Sequence, residues 1–320
     1  MTVTVAIPTA RRPESLRRLL GALPAAIAGV DGVEVIVVDN DSAGSARPVV
    51  EDAAVPVRYL LEPVPGSAYA RNRGMNEATH PVLAYLDDDV VPGAGWLAAL
   101  LRPLREHGAL GAGGKVVLDP SVARPRWLDE AGVGGYLTHF DLTGPARVLG
   151  PREYIVTASA AFDTAALRRV GGFDPALGPR PGSQLVADDV HVVRELQRLG
   201  GDVWWQPESV VVHDLPAERL SKRWLLRRAY LQGRSDWLLE ADELSERKLG
   251  GARVALSWLG HEVGHRRREG LRRPEVAFHL CTDVWRTAGA VRQAVVLAGG
   301  PLGLAGGRAH GGRGSVDGGA

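Results

Sequence analysis

The chain has 320 residues, 45% of them hydrophobic, with a net charge of +1 and one cysteine, Cys281. That is enough apolar material for one large α/β domain plus a smaller helical part. A single cysteine excludes an internal disulfide framework and suits a reducing cytosol, and the lack of a reader module argues against nucleic acid as a partner.

The first element is VTVAIPTARRPESLRRLL (3–20): an apolar strand, a turn at Pro8, and an amphipathic helix opening after Arg12 with Pro13 in its first turn. Arg11 and Arg12 follow too short an apolar start for a signal peptide. VEVIVVDNDS (33–42) reads as a second strand at the distance of a strand-helix-strand unit with a right-handed crossover. Both strands are almost continuous Val and Ile, so helices should cover both faces of a parallel sheet. Function then belongs at the C-terminal strand ends, which carry Thr9, Arg11, Asp39, Asn40 and Asp41.

Next comes VPGSAYARNRGMNEATHPVLAYLDDDV (64–90), a glycine turn, a helix with Arg71, Asn72 and Gly74, and a strand that delivers three carboxylates. Alternate residues of an extended chain point the same way, so Asp87 and Asp89 can share a hard divalent cation able to hold a diphosphate. A solvated acidic loop is the alternative. The planar fork of Arg71 suits phosphate or carboxylate oxygens, and equally a structural ion pair with an acidic neighbour. Asp39 can accept a base N–H or cap the following helix, although Asp41 or Ser42 makes the better cap.

In order and spacing, IPT (7–9), VVDNDS (37–42), GSAYARNRG (66–74) and LDDDVVPGAGWL (86–97) resemble the family-2 glycosyltransferases, inverting nucleotide-sugar-dependent enzymes of the GT-A type. The resemblance continues through AAFDTAALRRVGGFDPAL (160–177), ADDVHVVRELQRLGGDVWWQPESVVVHDLP (187–216) and LSKRWLLRRAYLQG (220–233). It implies a GT-A-like α/β fold, a mostly parallel central sheet flanked by helices, with a helical C-terminal subdomain.

The resemblance also implies roles. Pro8, Thr9, Arg11, Asp39, Asp41, Arg71, Asp87 and Asp88 fall in the nucleotide-sugar-binding set. Asp39 would meet uracil, and Asp87 the ribose or metal waters. Asp88 should point elsewhere than its neighbours. Asp89 would ligate Mn²⁺ or Mg²⁺, between which oxygen ligation does not choose. His213, after the strand SVVVH, would complete the metal shell or remain an ordinary hydrogen-bonded residue. The family places an acidic pair before a helix ending in Gly. Here the pair is Asp188-Asp189 and the glycine Gly200; aligning on the glycine makes Asp189 the base, and a one-residue slip makes it Asp188. Helix N-terminal acids favoured by the macrodipole are the structural alternative.

The expected organisation is a nucleotide-sugar-binding half (1–118), an acceptor and catalytic half (119–214), helices (215–298) and a disordered Gly-rich tail (299–320). WLDEAGVGGYLTHFDLTGPARVLG (127–150) is expected to loop over the acceptor site, whose occupant, a natural product, glycan or lipid-linked saccharide, has no motif. From 219 to 273 the chain has 14 Lys/Arg against 7 Asp/Glu, or +7, leaving −6 elsewhere. Helices packed under the sheet with solvated arginines explain this more simply than peripheral contact with an anionic membrane face, so the expected location is the cytoplasm, with the inner membrane face as the alternative. The apolar stretch 276–304 is broken by Asp283, Arg286 and Arg292, which makes a poor span. HEVGH (261–265) fits a zinc-peptidase pattern, yet Gly264 interrupts the helix and RRR follows, so His261, Glu262 and His265 are read as structural. Two further rivals are a nucleotide-sugar-binding protein without chemistry, against which the Asp188-Asp189 pair argues, and a nucleotidyltransferase, which should show a Gly-rich phosphate loop near the first strand that IPTARRPESL lacks.

Overall fold

The computed structural model describes residues 1–241 apart from 126 and 129–132, and then 259–260, 263 and 274–299. His261, Glu262, Gly264 and His265 of HEVGH, part of the basic segment and residues 300–320 lie outside the described residues.

The chain opens with β1 (Val3–Thr9), α1 (Pro13–Ile27), β2 (Val33–Asp39), α2 (Arg47–Glu51), β3 (Arg58–Leu61), α3 (Ser67–Glu77) and β4 (Val82–Leu86). These four strands pair in parallel in the order β3-β2-β1-β4. All five residues of β4 and six of seven in β1 are buried, as continuous apolar runs require when helices cover both faces. On α1 the buried residues Leu16, Leu19, Leu20 and Leu23 form the i, i+3, i+4, i+7 stripe of an amphipathic helix.

After β4 come β5 (Val90–Pro92), α4 (Trp96–Leu100), α5 (Arg102–His107), β6 (Gly111–Leu118), β7 (Arg147–Val148), β8 (Ser159–Asp163) and α6 (Thr164–Arg169). A short ribbon, β9 (Pro179–Arg180) with β10 (Ser183–Gln184), precedes α7 (Asp188–Arg198) and β11 (Val203–His213). The sheet order is β3-β2-β1-β4-β8-β6-β11-β5, with β7 alongside β11. Because β8 runs antiparallel to both β4 and β6, the parallel arrangement expected from the sequence holds for the first half and the whole sheet is mixed. Between β6 and β8 the chain has no crossover helix among the described residues, and a parallel return would need one.

Two registers build the site. Thr9 lies opposite Asp39 at the ends of β1 and β2. His213 at the end of β11 lies opposite Val90 and Leu118, which sets it beside the residue that precedes Val90, Asp89. The Asp214 N–H donates to the Asp89 carbonyl at 2.8 Å and locks that neighbourhood.

The described remainder is helical: α8 (Lys222–Ala241) and α9 (Pro274–Gly299) pack on each other and reach the sheet through Leu118, Leu215, Leu225 and Phe278. None of the described helices is long and apolar enough to cross a membrane. The pair meets backbone to backbone, because a Cβ added at Gly233 would fall on the Arg286 carbonyl and one at Gly289 on the Tyr230 carbonyl. Gly233→Ala should therefore force the helices apart and cost about 1–3 kcal/mol, the usual range for overpacking. Urea unfolding checks this, and an unchanged midpoint would mean that the helices do not approach so closely.

Candidate active site

Asp87, Asp88 and Asp89 occupy a turn between β4 and β5 rather than an extended strand. The period-two argument from the sequence therefore does not apply, and the carboxylate that shares a partner with Asp89 is Asp88. One nitrogen, Arg12 Nη1, sits 2.8 Å from Asp88 Oδ1 and 2.8 Å from Asp89 Oδ2. Thr9 Oγ1 donates to Asp88 Oδ2 at 2.8 Å. Burial pushes the Asp88 carboxyl up to about 6, against the opposing charge of Arg12. Burial acts on Asp89 in the same direction, but there the polar contact with His213 and the charges of Arg12 and Arg219 outweigh it and hold the carboxyl below its ordinary range.

His213 is buried, with Nε2 at 3.5 Å from Asp89 Oδ2. Arg219, in the short turn Ala217–Leu220 after β11, spans both: Nη2 lies 3.3 Å from Asp89 Oδ2 and Nη1 3.2 Å from His213 Nε2. A proton on Nε2 would face Asp89, but a guanidinium only donates, so the contact with Arg219 is made in the tautomer that carries the imidazole proton on Nδ1. That tautomer leaves a lone pair on Nε2 beside a carboxylate oxygen, a donor set suited to a divalent cation. Among the described residues no three His, Cys, Asp or Glu side chains are placed to hold a metal ion together, so ligand oxygens and water would complete the shell.

Toward α7 the connection runs through Arg71. Its Nη1 donates to Asp188 Oδ2 at 2.8 Å and its Nη2 to Asp87 Oδ1 at 3.2 Å, joining the acidic turn to the N-terminus of α7. Arg71 is held in place: the buried Tyr85 hydroxyl donates to its carbonyl at 2.8 Å, and its guanidinium lies over the Phe173 ring at 5.6 Å. Of the two alternatives for Arg71, the ion pair is the one formed. Asp188 is buried against this cation, while the half-buried Asp189 accepts, among the described residues, from the adjacent Val190 N–H, through Oδ1 at 2.8 Å. Burial, reinforced by the charge of Asp188, pushes the Asp189 carboxyl up to about 7. Asp188 is raised as well, through burial, with Arg71 opposing.

At the end of β2 Asp39 is fully buried and accepts from the Asp41 N–H at 3.0 Å, the Ala46 N–H at 2.8 Å and the Tyr59 hydroxyl at 3.1 Å. It thus braces the turn leading into α2. Since a carboxylate offers about four acceptor sites, one is not used among the described residues. Asp41 accepts from the Ala43 N–H at 3.3 Å. Asn40 ties the next loop down, donating to the Glu62 and Val64 carbonyls and accepting from the Gly66 N–H.

Of the residues singled out in the sequence, Thr9, Asp87, Asp88, Asp89, Arg71, Asp188, Asp189 and His213 form one linked cluster at the C-terminal end of the sheet. Pro8 lies in β1 next to it. Arg11 does not join: it is exposed at a φ of 56°, and the adjacent Arg12 reaches the carboxylates instead. Arg12 and Arg219 went unnoticed in the sequence because each is one arginine in an arginine-rich stretch. The half-buried Arg228 is held below its ordinary pKa by burial, with the charge of Asp189 among the influences opposing that shift, and Tyr154 is raised by burial with Asp189 adding to it.

The family model for glycosyl transferase family 2 matches residues 4–171. The chain belongs to that family. Among curated relatives, the pre-mycofactocin glycosyltransferase of Mycobacterium tuberculosis is 29% identical over 248 residues, and the chain aligns over 72% of its own length but only 46% of that protein's. The chain thus spans about half the length of this mycobacterial relative. Succinoglycan biosynthesis protein ExoM of Rhizobium meliloti is 28% identical, with 75% and 76% of the two chains covered. The mannosyltransferase PcManGT from Pyrobaculum calidifontis, solved with GDP-Man and Mn²⁺, superposes with a TM-score of 0.54 at 21% identity, covering 94% of this chain and 76% of that one. Residues 1–349 of S. aureus TarS, solved with UDP-GlcNAc, give 0.53 at 15% identity and 92% coverage of both chains. These likenesses identify the fold as GT-A.

Proposed function

We propose that this family-2 member is an inverting glycosyltransferase that moves a sugar from a nucleoside diphosphate sugar, with UDP favoured, onto an acceptor nucleophile. The observation that carries this reading is the pairing of two acidic centres, the Asp87-Asp88-Asp89 turn with His213 and the Asp188-Asp189 pair, joined by the buried Arg71 through Asp87 and Asp188. One centre faces a leaving diphosphate and the other an incoming nucleophile. A divalent cation held by Asp89 and His213 supplies neutralisation of the leaving group when bound. The Mn²⁺ and the nucleotide sugars bound to the solved neighbours support that choice without selecting Mn²⁺ over Mg²⁺ here.

The chain's own residues then divide the work. Thr9, Asp39 and Asp41 line the nucleoside end, where the free acceptor site of Asp39 favours an imide-bearing base. Asp87, turned toward Arg71, faces the ribose side. Asp189 takes the acceptor's proton through Oδ2, since its other oxygen is engaged by a backbone N–H and Asp188 is committed to Arg71. One carboxylate and one displacement leave no covalent intermediate, so the anomeric configuration inverts. Residues 1–118 form the donor half and 119–214 the acceptor half of this machine. The acceptor is a hydroxyl of a natural product, glycan or lipid-linked saccharide.

The test is thermal. UDP with Mn²⁺ should raise the unfolding temperature of the wild type well above the effect of UDP alone, because a ligand that binds only the folded state stabilises it. Asp89→Ala should remove the Mn²⁺-dependent part of that increase. Undiminished Mn²⁺ dependence in the variant would overturn the metal assignment.

A further inference from the structure

The guanidiniums of Arg12 and Arg219 hold the same atoms that a divalent cation requires. Arg219 reaches Asp89 Oδ2 with one arm and His213 Nε2 with the other, at 3.3 and 3.2 Å. Arg12 Nη1 lies at 2.8 Å from that same Asp89 oxygen and from Asp88. A lone pair pointing at a guanidinium N–H cannot also coordinate a metal ion, so cation and arginines exclude one another at these two atoms.

Anchoring separates these arginines from Arg71. The Arg71 side chain is 10% exposed and lies over the Phe173 ring, with its backbone carbonyl held by Tyr85, whereas Arg12 is 45% exposed. Arg219 is 18% exposed, and it is carried by a short turn whose own residues are not buried, with its guanidinium 5.7 Å from the centre of the Trp224 ring. Arg12 and Arg219 can change partners at small cost, and Arg71 cannot. Their charges also need not leave. Two guanidiniums balance Asp88 and Asp89, and a nucleoside diphosphate sugar with its divalent cation enters as a neutral unit. The oxygens of its diphosphate are bidentate acceptors of the kind a planar guanidinium fork matches best.

We infer that Arg12 and Arg219 are exchanging countercations: they stand in for the metal on Asp89 and His213, and on arrival of the donor they pass from those side chains to the diphosphate oxygens. In this arrangement Asp89 and His213 are kept from binding a stray cation on their own, and metal and nucleotide load together. Arg219 then stabilises the leaving group directly, and its position between β11 and α8 places the helical segment in line with donor loading.

The inference rests on the metal-linked donor reading above, and the experiment separates the two. Mn²⁺ binding to the full-length chain is measured by electron paramagnetic resonance without nucleotide, and UDP binding by calorimetry at saturating Mn²⁺, for wild type, Arg219→Met, Arg219→Lys and Arg12→Met. Removing the Arg219 fork should tighten binding of Mn²⁺ alone by about tenfold and weaken UDP binding by about tenfold, in line with the loss of a charge-assisted pair. Arg219→Lys, which retains charge but cannot span two atoms, should bind Mn²⁺ with intermediate affinity. Arg12→Met should follow Arg219→Met in both measurements, and decides the matter with Arg219→Lys if Arg219→Met does not fold. Unchanged or weaker Mn²⁺ binding in the folded variants would overturn the inference, as would tighter Mn²⁺ binding with unaltered UDP affinity. Wild-type UDP binding that ignores Mn²⁺ would instead sink the metal-linked donor reading itself.

Discussion

Asp189→Asn should lower sugar transfer by roughly two to four orders of magnitude, the usual span for loss of a general base. The affinity for UDP should barely move, because Asp189 lies on the acceptor side, beyond Arg71 and Asp188. Asparagine keeps the size of the side chain and its Oδ1 bond to the Val190 N–H, so only the proton-accepting oxygen is removed. Since burial pushes this carboxyl up to about 7, wild-type kcat/KM should rise with pH through that region, and the residual activity of the variant should not. Stability should move the opposite way to activity. With a folded value above the ordinary 3.8, the group favours the folded state below about pH 4, and that contribution is lost as pH rises through about 7. At pH 8 the Asn variant should therefore be more stable than wild type, by on the order of 1–3 kcal/mol, while at pH 4 the two should converge. Asp188→Asn as the dead enzyme, with Asp189→Asn near normal, would move the base one residue earlier. Retention of the donor's anomeric configuration would overturn the single-displacement mechanism.

Legibility differed between parts of the chain for physical reasons. The β1-α1-β2 unit was readable because doubly covered strands impose continuous Val and Ile runs, and because Pro13 marks a helix start whatever the tertiary context. The strand ends bearing Thr9, Asp39 and the acidic turn followed from the same rule. The antiparallel entry of β8 was hidden, since SAAFD reads the same in either direction and only pairing with β4 and β6 settles it. Within the turn, local periodicity set Asp87 with Asp89, but the backbone had already left the strand and pairing through Arg12 put Asp88 there instead. Arg12 and Arg219 are separated by more than 200 positions and meet at one oxygen, a convergence no local pattern encodes. The choice between Asp188 and Asp189 likewise turns on which of two adjacent carboxylates Arg71, more than 100 positions upstream, has taken.

Arg71→Met should be the most damaging single change to the fold around the site. Arg71 is a buried cation whose fork holds Asp188 at 2.8 Å and Asp87 at 3.2 Å. Removing one partner of a buried pair leaves the other as an uncompensated charge, which typically costs about 3–5 kcal/mol, whereas the intact pair itself adds little. The cost should depend on pH in a predictable direction. Asp188 is already raised by burial, and Arg71 is the largest influence opposing that rise. Without the arginine, the carboxyl climbs further and takes up a proton, so the loss of stability should be large at pH 8 and shrink as the solution is acidified to pH 5. Asp189 also loses a stabilising positive neighbour, so whatever transfer remains should need more alkaline conditions. The double variant Arg71→Met with Asp188→Asn removes the stranded charge along with its partner and should recover much of the stability at pH 8, though not the link from α7 to the acidic turn that positions Asp189. Urea unfolding at the two pH values reads both effects. A loss that is the same at pH 5 and pH 8, or a double variant no more stable than the single one, would mean that the packing of the Arg71 side chain, its stacking over Phe173 included, and not its charge, is what this residue contributes.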